Sequence, residues 1–160
     1  MPERGFATFV TSTNSVPVVA ERAMWWRAEE GHWTAGHVGV GFTAGGRKWV
    51  TADGVAAADG SSDTYALVSN IDSRAGLLKV TAVFADGTAP VERLFAIGAN
   101  QRFTIRGRQR FPEVVGKGYS FIIESIGASP VKIVVDHSTY FDLDGRFWAM
   151  GTTSPGSKIR

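Results

Sequence analysis

The sequence contains no cysteine, which excludes a disulfide framework and any thiolate chemistry. It lacks an apolar run long enough to cross a bilayer as a helix, so membrane insertion of that kind is not expected. Charge of one sign is scarce: 17 Lys and Arg against 15 Asp and Glu leave a net charge of +2, too little to point to a nucleic-acid partner. No secretory signal is expected within this stretch, because Met1-Pro2-Glu3-Arg4 leads directly into a strand-like pattern; a secreted parent would carry its signal outside it. Helical periodicity is nearly absent.

Short strands and turns are present in its place. Hydrophobic content of 44% and charged content of 20% suit a folded domain, and 19 glycines supply many turn positions. From Lys48 onward, runs of four to ten residues rich in β-branched and apolar side chains recur at short intervals: 49–52, 64–69, 77–85, 91–97, 102–106, 118–125, 131–140 and 146–150. Turn pairs such as Asp53-Gly54, Asp86-Gly87 and Asp144-Gly145 separate several of them. Within 77–85, Val80, Ala82 and Phe84 should face one way and Lys79, Thr81 and Val83 the other. The expectation is an all-β, antiparallel β-sandwich of jelly-roll or immunoglobulin-like type.

The stretch Gly118–Gly151 has a degenerate second copy at Gly5–Gly36. Phe6 falls on Tyr119, Pro17 on Pro130, Val18-Val19 on Ile133-Val134 and Glu21 on Asp136. Trp25-Trp26 fall on Tyr140-Phe141, Gly31 on Gly145, Trp33 on Trp148 and Gly36 on Gly151. The repeat predicts a closing hairpin duplicated at the N-terminus, dividing the chain into residues 1–46 and a sandwich over 47–160, or joining both in one continuous sandwich over 5–155. Within the first copy, Phe6–Thr13 and Val16–Arg22 are expected to form a hairpin, 23–33 a strand, turn and strand, and the glycine-rich 34–46 a connection.

Several strings carry a resemblance: KWVTADG at Lys48–Gly54, TYALVSN at Thr64–Asn70, RFTI at Arg102–Ile105, GYSFIIES at Gly118–Ser125 and VPVVAERAMWW at Val16–Trp26. Together they resemble a repeat of large secreted bacterial proteins. Trp49, Ala52-Asp53-Gly54, Ile123-Glu124-Ser125 and Val134-Val135-Asp136-His137 are more distantly similar to the small transducer proteins paired with sensory rhodopsins. The first resemblance implies a non-catalytic structural or adhesive module at a bacterial surface or outside the cell. Neither implies a cofactor or a catalytic residue, and Asp136-His137 departs from the Glu-Arg of the secreted repeats.

Candidate chemistry is thin. Asp142-Leu143-Asp144-Gly145 offers too few oxygen ligands for calcium and reads as a hairpin turn. His32, His37 and His137 lack metal-ligand spacing. Ser61-Ser62 lies outside any nucleophile elbow, and Glu21 with Glu124 could serve as paired carboxylates only if the fold brought them together. The sharpest feature is Arg102–Arg110. With period two, Arg102, Thr104 and Arg106 share a face, and a continuing strand would add Arg108 and Arg110 to a guanidinium ladder suited to an anionic glycan or a partner's carboxylates. A solvated face with partners such as Glu92 and Glu113 is the commoner arrangement. Trp26, Trp33 and Trp148 complete the candidate set, as a sugar platform or, by preference, a subunit contact giving self-association.

Overall fold

The computed structural model describes residues 5–26 and 35–159. The structure is built from two antiparallel sheets packed face to face and a separate two-stranded ribbon. The ribbon pairs β1 (Glu21–Trp26) with β2 (Ala35–Val40). The larger sheet contains β3 (Lys48–Gly54), β5 (Gly76–Phe84), β6 (Val91–Ile97), β8 (Tyr119–Ile126) and β11 (Ser157–Lys158), in the order β11-β3-β8-β5-β6. The smaller contains β4 (Ser62–Asn70), β7 (Arg102–Arg106), β9 (Ile133–Leu143) and β10 (Arg146–Pro155), in the order β10-β9-β4-β7. An all-β sandwich is what the strand-length runs predicted.

Alternation along each strand fills the space between the sheets. Leu78, Val80, Ala82 and Phe84 of β5 and Tyr119, Phe121 and Ile123 of β8 meet Ala66, Val68, Ile105, Ile133 and Val135 from the smaller sheet. Trp49 of β3 crosses the gap, donating its indole N–H to the Ile133 carbonyl at 2.9 Å. Buried Asn70 closes the end of β4: its amide donates to the carbonyls of Arg74 and Gly98 (2.7 and 2.8 Å) and its oxygen accepts from Asp72 N–H (2.9 Å). These bonds satisfy loop groups that water cannot reach.

Three local expectations differ from the structure. Phe6–Thr13 is not a strand; the chain runs irregularly from Gly5 to Ala20 before β1 begins. Its β-branched composition favours a strand but supplies no neighbour to pair with, and an extended segment without a ladder has no regular structure. The glycine-rich 34–46 contains β2, because Ala35, His37 and Gly39 alternate with Gly36, Val38 and Val40 in register with β1. The arginine strand stops at Arg106, and Gly107–Arg110 turns into a single helical turn, α1, followed by a 3-10 turn over Pro112–Val114. Both turns pack against the core, with Phe111 and Val114 buried. The expected turn within 23–33, His32 and Trp33 lie largely or wholly outside the described residues.

Candidate functional site: the ribbon on the smaller sheet

The β1–β2 ribbon lies on the outer face of β9 and β10. Its register repeats that of the pair beneath it. Glu21 opposes Val40 and Trp25 opposes Gly36, while the aligned Asp136 opposes Pro155 and Tyr140 opposes Gly151. The hairpin mouths close alike, with Gly41 N–H donating to the Ala20 carbonyl at 2.7 Å and Gly156 N–H to the Val135 carbonyl at 2.8 Å. Between β1–β2 and β9–β10 the sequence repeat is therefore also a repeat of strand pairing.

Aromatic rings hold the ribbon in place. Trp26 donates its indole N–H to the Trp148 carbonyl at 2.6 Å and sets its ring edge-on to His37 (5.4 Å) and Tyr140 (5.3 Å). Tyr140 stacks on Trp148 at 4.5 Å, and Tyr65 meets both rings at 5.6 and 6.2 Å. His37 Nε2 lies 3.3 Å from the Tyr140 hydroxyl, a contact whose donor depends on the tautomer. Two backbone features make the seat. Trp148 sits in the bulge between Arg146 and Met150 with φ +53, held by its N–H donating to Asp142 Oδ1 at 2.7 Å; a bulge of this kind re-aims a side chain. Gly151 has no Cβ, and one placed there would come within 2.9 Å of both the Trp26 and Tyr140 rings.

Polar groups flank the rings. Arg22 approaches Asp136 at 3.8 Å, and the Thr153 hydroxyl hydrogen-bonds to the same carboxylate. Burial raises the Asp136 pKa above the ordinary carboxylate value, opposed by Thr153 and Arg22. Burial lowers the His37 pKa, with the Arg22 charge acting in the same direction, and His37 Nδ1 has no hydrogen-bond partner among the described residues. Beside this cluster, a cavity of about 540 Å³ lies between the segment Phe6–Thr11, the ribbon and the sheet. Arg102 lines it and donates Nη1 to the Phe6 carbonyl at 3.1 Å.

The predicted site residues divide among separate places. Trp26 and Trp148 meet at the seat. Arg102 is half-buried beneath the N-terminal segment, and burial lowers its pKa. Arg106 Nε donates to Asp63 at 2.8 Å and its guanidinium lies over Tyr65. Arg108 pairs with Asp63 through Nε at 3.8 Å and its backbone N–H at 3.2 Å, and its Nη2 donates to the Ala57 carbonyl. Arg110 stands over Phe95 and Phe103. The continuous arginine ladder is thus replaced by three separate environments, because α1 rotates Arg108 and Arg110 away from the strand face. Glu113 binds Arg93 at 2.8 Å and Glu92 approaches Lys79 at 3.9 Å, so the anion that joins two of the arginines is Asp63. Sequence reasoning missed Asp63 and Tyr65, and weighed His37 only as a metal ligand. The one available signal was the Ala35-His37-Gly39 alternation, which puts His37 on the Trp26 face.

No protein family matches the sequence, and no curated protein does. Among solved structures, the chain is similar to the crystal structure of Thermotoga maritima 1070, with a TM-score of 0.60 and 21% identity over 72% of this chain and 96% of that one. It is also similar to the Anabaena sensory rhodopsin transducer, with a TM-score of 0.50 and 18% identity over 61% of this chain and 99% of that one. At these identities the likeness establishes a shared all-β fold.

Proposed function

We propose that the chain is a non-catalytic structural module that self-associates through the free face of the β1–β2 ribbon. One observation carries this reading: the ribbon repeats the hairpin it sits on, yet only one of the two outer faces is covered. On β9–β10 that face, with Tyr140, Gly151 and Thr153, receives the ribbon. The corresponding face of the ribbon bears Trp25, Gly36, Ala23, Val38 and Val40, with Glu21 at its end opposite Val40, and lies open, with Trp25 64% exposed. Apolar area of this kind marks a contact surface. A second copy presenting the same face forms a closed twofold contact. The resemblance of Lys48–Asn70 and Val16–Trp26 to secreted bacterial repeats supports placing the module in a surface or secreted protein, where adhesion is the corresponding role.

Sedimentation velocity across a dilution series tests the reading. A dimer that dissociates on dilution is expected, and Trp25→Ser should weaken it by about 2 kcal/mol, roughly 30-fold in Kd, as for a central interface tryptophan. A monomer at every concentration overturns it, as does a dimer indifferent to Trp25→Ser.

A further inference from the structure

The repeat reaches further back than the ribbon. Gly5–Pro17 aligns with Gly118–Pro130 without a gap, which lays Phe6–Thr13 on β8. In the sandwich β8 is an inner strand, hydrogen-bonded to β3 on one side and β5 on the other. Its counterpart forms no backbone-to-backbone hydrogen bond among the described residues. The side chains are displaced in the same way. Tyr119 is 3% exposed and Ile123 fully buried, but their counterparts Phe6 and Val10 are 70% and 62% exposed. Val18, the counterpart of buried Ile133, is 58% exposed. Strand-forming residues without a backbone ladder and with bare apolar side chains match a sheet interior that the described residues do not place around them.

The ribbon supplies a second sign of the same kind. Its face with Arg22, Met24 and Trp26, turned toward the sheet, corresponds by register to His137, Thr139 and Phe141 of β9. In β9, His137 and Thr139 are buried on the side shared with the core residues Ile133 and Val135. The ribbon thus applies to the outside of this sandwich the face that a β9–β10 pair turns to a sandwich interior.

We infer that residues 5–26 and 35–41 correspond to β8, β9 and β10 of a second sandwich, able to complete a like unit that has counterparts of β3–β7 and lacks its own β8–β10. Phe6–Thr13 takes the slot between the β3 and β5 counterparts, and β1 pairs with the β4 counterpart. This is strand addition, with backbone bonds giving affinity and alternate side chains giving register. It deepens the structural-module reading and leaves the Trp25 face free. The Trp26 face can be covered only once, so completing the second unit releases the ribbon from Tyr140 and Trp148.

The test places a second copy of residues 42–117 directly ahead of Gly5 in the full chain, so that Lys117 precedes Gly5 as it precedes Gly118. Hydrogen exchange should show the amides of 6–13 unprotected in the native chain and, in the extended chain, protected to within about tenfold of those of 119–126. A second cooperative urea transition should appear for the added unit, with a slope close to that of the native sandwich. Phe6→Asp with Val10→Asp should abolish that protection in the extended chain while leaving the native chain's urea midpoint unchanged. Unprotected or protease-sensitive added residues, an aspartate pair without effect in the extended chain, or 6–13 already protected in the native chain would each overturn the inference. Self-association through Trp25 is measured on the native chain and stands or falls separately.

Discussion

Removing the Trp26 ring should detach the ribbon while leaving the sandwich folded. Among the described residues the ribbon has no ladder to either sandwich sheet, so its attachment depends on side chains. Trp26→Ala deletes the bond to the Trp148 carbonyl and the edge contacts with His37 and Tyr140. One net hydrogen bond contributes about 1 kcal/mol, and each aromatic pair about 0.5–1.5 kcal/mol beyond its area. Full truncation of a buried tryptophan costs roughly 3–5 kcal/mol. Trp26 is half-buried, so about 2–3 kcal/mol is expected, corresponding to roughly 30- to 150-fold faster opening. Native-state hydrogen exchange should register that acceleration at the amides of β1 and β2, with those of β5 and β8 unchanged. Equal loss of protection throughout the chain would refute the reasoning, because the ribbon would then belong to the sandwich's cooperative unit.

Three further outcomes follow from the geometry. His37 has its ordinary value of 6.5 lowered in the seated ribbon, so the detached state binds the proton more readily. Seating should be fully stable above 6.5 and weaken as pH falls below it, until the seated imidazole also protonates; intrinsic-rate-corrected exchange of the β1–β2 amides checks this, and His37→Gln should flatten the profile. Asp136 has a pKa raised by burial, so its contribution to the stability of the fold has the opposite sign, proton uptake favouring the folded chain as pH falls. Asp63→Ala leaves Arg106 and Arg108 without their shared carboxylate and should lower stability by roughly 2–4 kcal/mol, read as a urea midpoint shift at constant slope. Gly151→Ala would press a methyl against the Trp26 and Tyr140 rings, and about 1–3 kcal/mol of overpacking should appear in ribbon exchange rates.

The alternation of Val80, Ala82 and Phe84 against Lys79, Thr81 and Val83 revealed the sandwich in advance because strand side chains have a period of two and one face must leave water. The equivalence of the two hairpins was readable in the same way: Glu21 with Asp136, Trp25 with Tyr140 and Gly36 with Gly151 are local matches, and each occupies the same register position. The condition for a continuous arginine ladder is not met, because period two holds only while a strand continues and packing of Phe111 and Val114 into the core turns the chain at Gly107; the paired arrangement is formed, with Asp63 as the carboxylate. Phe6–Thr13 shows the limit most plainly. Its residues favour a strand as those of β8 do, but a strand exists only where another backbone offers hydrogen bonds, and that partner comes from tertiary structure. The seat itself was equally hidden, since Trp26, His37, Tyr65, Tyr140 and Trp148 come from five different strands. Sequence set the periodicities and the repeat; the meeting of distant strands decided which faces are covered, which anion joins Arg106 to Arg108 and which apolar side chains remain in water.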